Sequence, residues 1–177
     1  MNTNLINLIY SLTAAPTPIP AVAQTAPART PEQQALYNYG NHAGLAVLSF
    51  ENSHTDMAQV LQNWIKHRTD PNAQAGVSLI ARDMLTAGAS LKNLPNVPVA
   101  AQAVNNALAA GFSNASAQLS SILTQSASDS GLATAMQTYN SAADAYTKSY
   151  LTIVDFFTLR EITFGASDPG SVFSIPQ

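Results

Sequence analysis

Glu51 and His54 stand three residues apart in a helical stretch, the spacing at which Glu-x-x-His pairs supply ligands to carboxylate-bridged metal centres in helical bundles. His54 falls on the apolar seam of its segment, where a ligand would point inward. A site of that kind needs a second Glu-x-x-His and two further carboxylates on other helices, and the sequence holds no second copy. Asp83, Asp144, Asp155 and Glu161 offer acids, but the other histidines, His42 and His67, belong to the same early region. His54 is therefore expected to be a core or capping histidine, with no metal and no cofactor.

Ser53, His54 and Asp56 have the residue types of a hydrolytic triad. Neighbouring side chains on a helix point about 100° apart, so adjacency in sequence is not triad geometry, and a polar helix junction is the expectation. No Gly-x-Ser-x-Gly elbow, phosphate loop or dinucleotide fingerprint occurs. Asn114-Ala115-Ser116 matches a glycosylation sequon but lies mid-helix. Trp64 to Arg68, "WIKHR", reads as a helix C-terminus whose cations complement the dipole. Tyr139, Tyr146 and Tyr150 share one seam. They either line an apolar pocket with hydroxyl handles or serve as bulky core residues whose hydroxyls reach the bundle edge. Nothing in these residues supports an enzyme.

The elements that would carry these residues are helical. Thr30-Pro31-Glu32-Gln33 is a capping box with proline at the first helical position, and Asp70-Pro71 repeats the device with a carboxylate. Pro98 opens a third segment, and Ser128, Asp129 or Ser130 caps a fourth that should stop near Gly165. Leu132, Met136, Tyr139, Ala143, Tyr146, Tyr150, Ile153 and Phe157 step by alternating fours and threes, which is a bundle seam. Val104, Leu108, Gly111, Ala115, Leu119 and Ile122 keep the same rhythm, with small residues that admit a neighbouring helix closely. The first segment carries Ala43, Val47, Phe50, His54, Met57, Leu61 and Trp64, and either runs on as one kinked helix or breaks near Ser53; the break is favoured. The expectation is an all-α, four- to five-helix antiparallel bundle over 31–165, with an irregular tail over 166–177 whose Val172, Phe173 and Ile175 pack against something.

The surface is unusual. Charged residues make up 10% of the 177, against roughly 25% in an average soluble protein, and net charge is −3. Neutral polar surfaces of that kind suit proteins working outside the cytoplasm and subunits that bury much surface in an assembly. The seven Lys and Arg are scattered, which argues against nucleic acid as a broad electrostatic contact. No apolar run reaches the length of a membrane span. The absence of cysteine excludes a disulfide framework.

Residues 1–30 hold the sharpest question. "LINLIYSL" gathers Leu5, Ile6, Leu8, Ile9 and Leu12, and Pro16, Pro18, Pro20, Pro27 and Pro31 follow among Ala and Thr. Proline at this density holds a chain extended, so Ala15 to Thr30 reaches on the order of 40–50 Å. Three readings compete. A secretory signal peptide fits the apolar stretch and "AVA" before Gln24, but lacks a leading cation and is crowded with proline. A lipid-surface anchor wants a basic face, which is missing. An arm that docks its apolar plug on a neighbouring subunit buries five aliphatic side chains, worth roughly 5–10 kcal/mol before ordering entropy. The arm is the favoured reading. It makes the chain a non-catalytic, self-assembling homo-oligomer subunit of a virion (capsid) or other particle, or of an extracellular filament. The alternative is a secreted or periplasmic bundle that binds a small apolar ligand at the tyrosines.

Overall fold

The computed structural model describes residues 29–125 and 129–174. Five α-helices follow one another there: α1 (Pro31–Ser53), α2 (Met57–Lys66), α3 (Pro71–Lys92), α4 (Gln102–Gln125) and α5 (Asp129–Thr158), with 3-10 turns at Val99–Ala101 and Pro169–Phe173. No strand occurs among the described residues. The all-α bundle expected from the sequence is the fold. Of the expected arm, only the root at Arg29 and Thr30 is described; Leu5, Ile6, Leu8, Ile9 and Leu12 lie outside the described residues.

Helix starts follow the local chemistry. The Thr30 hydroxyl accepts from the Gln33 amide at 3.2 Å while the Thr30 amide donates to the Gln33 side chain at 3.1 Å, closing the capping box of α1. The Asp70 carboxylate accepts from the Asn72 amide at 2.9 Å and starts α3. Between them the chain breaks, as favoured. Ser53 turns its hydroxyl back to the Ser49 carbonyl, His54 leaves helical geometry at φ −133° and ψ 40°, and Asp56 begins α2 without a side-chain cap. Lys66 ends α2 as the dipole argument required.

Contacts set the topology. Tyr39 reaches Asn105 near the start of α4, and Phe50 meets Phe112 further along it, so α1 and α4 run the same way. Asn105 also donates to the Leu91 carbonyl at the end of α3, while His54 meets Asp83 further back on it, so α3 runs opposite to α1. Gly111 lies against Tyr146, where a Cβ would stand 3.2 Å from the Tyr146 Cα, and α5 returns antiparallel to α4. Up, down, up, down: α4 packs between α3 and α5, and α1 with α2 forms the fourth wall, broken at His54. Trp64, fully buried, fastens α2 to the core, although its indole N–H has no hydrogen-bond partner among the described residues.

One expectation fails. The last helix ends at Thr158, short of Gly165. The Ile162 amide donates to the Phe157 carbonyl at 3.0 Å and the Glu161 amide to the Thr158 carbonyl at 3.0 Å, a Schellman closure with Glu161 in the left-handed region at φ 57°. The reason lies in the register. Continued as helix, Ile162 would face about 180° away from Ile153 on the seam, out into water. The reversal buries it.

The residues after that reversal form a wedge between α1 and α5. Phe164 stacks on Tyr37 of α1, centroids 5.5 Å apart, and sits edge-on to Phe157 of α5 at 5.1 Å. Phe173 is buried 5.6 Å from Phe157 and 5.8 Å from Tyr150. Gly40 and Gly44, one turn apart on α1, leave the room: a Cβ on Gly40 would overlap the Phe164 ring, and one on Gly44 the Pro169 carbonyl. The Gly170 amide donates to Asn41 at 2.9 Å. The described part of the tail, with Val172 and Phe173, therefore has its target, the α1–α5 groove; Ile175 lies outside the described residues.

Candidate functional site

Two places concentrate polar or exposed groups, one at the helix break and one at the end of the bundle where the arm begins.

At the break, His54 is 7% exposed, and its ring lies 5.0 Å from the Phe50 ring. Its Nε2 is 3.0 Å from Asp83 Oδ2, and Asp83 Oδ1 accepts from Arg82 Nε at 3.0 Å. Burial works to raise the Asp83 carboxyl, but the hydrogen bonds from Arg82 and His54 prevail and hold it below the usual carboxylate range. An imidazole oriented by a carboxylate is the base half of a hydrolytic constellation. The Ser53 hydroxyl, however, is committed to the Ser49 carbonyl. The pair ties the end of α1 to the middle of α3.

Glu51 and His54 serve different neighbours. Glu51 faces α5, where its charge adds to the burial that raises the Tyr146 and Tyr150 phenols, and burial raises Glu51 itself. His54 faces α3. The Glu-x-x-His spacing thus gathers no common ligand set, and no group of three or more His, Asp or Glu suited to a metal occurs among the described residues.

The three seam tyrosines lie among other rings. Tyr146 meets Phe112 edge-on at 4.7 Å and Tyr150 at 6.3 Å, and the Tyr150 hydroxyl donates to the Val172 carbonyl of the tail. Tyr139 is buried, its phenol pushed up to about 12 by desolvation. Phe112 and Phe173 occupy the space beside these tyrosines. Two surface depressions open elsewhere, at the α3–α4 turn: one of about 410 Å³ beside Lys92, Asn96 and Gln102, and one of about 250 Å³ beside Asn38, His42 and Pro95. The first is edged largely by neutral amides, and the second by apolar and aromatic side chains with two asparagines. Asn114 is exposed on α4, while Ser116 of the same sequon is buried and donates to the Ala81 carbonyl at 2.6 Å.

The bundle end carries the second cluster. The Arg29 guanidinium lies 3.7 Å over the Tyr37 ring and donates to the Thr163 carbonyl at 3.0 Å. The Tyr37 hydroxyl donates to Asp168 at 2.7 Å, and so does the Gly165 amide. Those two bonds, Tyr37 first, hold the Asp168 carboxyl below its ordinary value, and Arg29 adds to the effect. The root of the arm is thereby fastened to the C-terminal wedge. At this same end Val99 is 84% exposed and Leu159 80%.

The sequence reading missed both pairings. Asp83 carried a signal, since it lies between buried Ile80 and Ala87, three residues before it and four after, on the flank of the α3 stripe. No helix among the described residues is long and apolar enough to cross a membrane. No family model, curated protein or solved structure matches this chain.

Proposed function

We propose that this chain is a non-catalytic structural subunit that self-assembles through its N-terminal arm and its weakly charged helix faces, as the subunit of a particle or an extracellular filament. The observation that carries the reading is the Arg29 clamp. It holds Arg29, the residue just before the Thr30 cap, on the rim of the bundle against Tyr37 and Thr163. The sequence before it carries five aliphatic residues, Leu5, Ile6, Leu8, Ile9 and Leu12, followed by a proline-rich strip, the composition of an exchanged arm. A surface with 10% charged residues supports the same reading, since burying it desolvates few charges.

The test is a deletion of residues 1–28 that keeps Arg29 and the Thr30 cap. Native mass spectrometry should show a smaller stoichiometry than that of the full chain, with helical circular dichroism unchanged. An unchanged oligomer overturns the reading.

A further inference from the structure

We infer that the turn between α3 and α4 carries a saccharide-binding site, a cup of neutral amides beside an apolar shelf, suited to an uncharged sugar ring. The site involves no residue of the arm.

Two depressions meet there. Leu94 and Asn96 of the turn line both, the one of about 410 Å³ and the one of about 250 Å³, so the two form a single surface divided by the turn. The larger lies within the size range of small-molecule sites. Asn105 lines it from below. That residue is 2% exposed, its Nδ2 donates to the Leu91 carbonyl at 3.0 Å, and its Oδ1 accepts from the Tyr39 hydroxyl at 3.3 Å. A primary amide has two donor hydrogens and two acceptor lone pairs, so each atom keeps one further position. An amide fixed by two bonds, with a donor and an acceptor left over, is a preorganised contact for a ligand. Around it Asn96, Gln102 and Asn106 are exposed, and their side chains make no hydrogen bond to the described residues. Asn96 stands at φ 56°, in the left-handed region that asparagine enters more readily than most residues with a side chain.

Charge decides the class of ligand. No Asp or Glu lines either depression. Lys92, the one Lys or Arg in the lining, stands in the last turn of α3, where it complements the carbonyl end of that helix. An anion would meet those carbonyls and a cation would meet Lys92, whereas an uncharged ligand meets neither penalty. An apolar ligand would cover the amides without giving them partners, at a cost. A sugar answers both demands. Each of its hydroxyls donates and accepts, as each amide does. The C–H face of its ring finds carbon on Leu94 and Val97, both half-buried, and on Pro95 across the turn.

The test is saturation-transfer NMR on the full chain with the methyl glycosides of glucose, galactose, mannose and N-acetylglucosamine, and with methyl glucuronide as the acidic counterpart. At least one neutral glycoside should receive saturation, and more of it than the glucuronide does. Gln102→Ala with Asn106→Ala, both exposed on α4, should weaken that binding roughly tenfold at unchanged circular dichroism. Asn96→Gly removes an amide at a φ that glycine favours, so it should lower affinity without lowering Tm. Asn114→Ala, an exposed amide further along the same helix, should leave binding as it is. No saturation of any neutral glycoside overturns the inference, and so does binding that survives the α4 double variant or falls equally with Asn114→Ala. A glucuronide that binds better than every neutral glycoside overturns the uncharged class and makes Lys92 the main contact.

Discussion

Gly44→Ala is a change whose sign the wedge reverses. In the interior of an ordinary exposed helix, replacing glycine with alanine stabilises by about 1 kcal/mol, because alanine has less backbone freedom to lose. In α1 the new methyl would overlap the Pro169 carbonyl group and crowd the Gly170 amide, which is itself held by Asn41. Both sides of that contact are backbone, so no rotamer change relieves it. Overpacking of this kind costs about 1–3 kcal/mol, and the rigid partner places it at the upper end. Subtracting the propensity gain leaves a net loss of about 2 kcal/mol, or roughly 4–8 °C in Tm for a domain of this size. Gly76→Ala is the control. Its close neighbour among the described residues is a Val60 methyl at 2.9 Å, the end of a side chain on short α2, and its Tm should stay within about 3 °C of the parent. Thermal denaturation followed at 222 nm, at one fixed protein concentration, reads both variants. A Gly44→Ala protein as stable as its parent, or more so, would refute the wedge.

Two further outcomes follow from local geometry. Glu161→Gly removes a side chain from the left-handed region at φ 57° and should raise stability by about 1 kcal/mol, read as a higher urea midpoint at unchanged slope. Asp83 has its folded value lowered, so its contribution is fully present above the unfolded carboxylate range and is lost as pH falls through the lowered value. Asp83→Asn should therefore lower Tm at pH 7 and flatten its decline on the acid side of the carboxylate range; an acid limb as steep as the parent's would show that the bonds from Arg82 and His54 to Asp83 contribute nothing.

The parts of the fold that rest on neighbours in sequence were readable. Thr30-Pro31 and Asp70-Pro71 start helices because their bonds reach only two or three residues ahead, and the α5 seam is a matter of spacing alone. The misplaced end of α5 shows where such reading stops. Gly165 has the chemistry of a helix terminator, but Glu161 took the left-handed position because Ile162 needed the core, and that demand comes from the packed bundle. The His54–Asp83 bond was hidden for a similar reason, since it depends on which flank of α3 the end of α1 covers. For the wedge a clue was present and unused. Gly40 and Gly44 lie one turn apart on a single face of α1, and such a gap asks for something to fill it. The tyrosine seam left two readings open because spacing shows which residues share a face but not whether other rings fill it.

The Arg29 clamp also decides where mechanical load goes. A pull on the arm reaches the bundle first through the Thr163 carbonyl and the Tyr37 ring, ahead of the hydrogen bonds that start α1. From there it passes to Asp168, Phe164 and the wedge, and through Phe157 and Tyr150 into α5. Force entering by this route is shared between two helices that run in opposite directions, so it shears the wedge in its groove where it would otherwise peel α1 away turn by turn. A pull applied at Arg29 is therefore resisted at the rim, by one cation and a few aromatic rings.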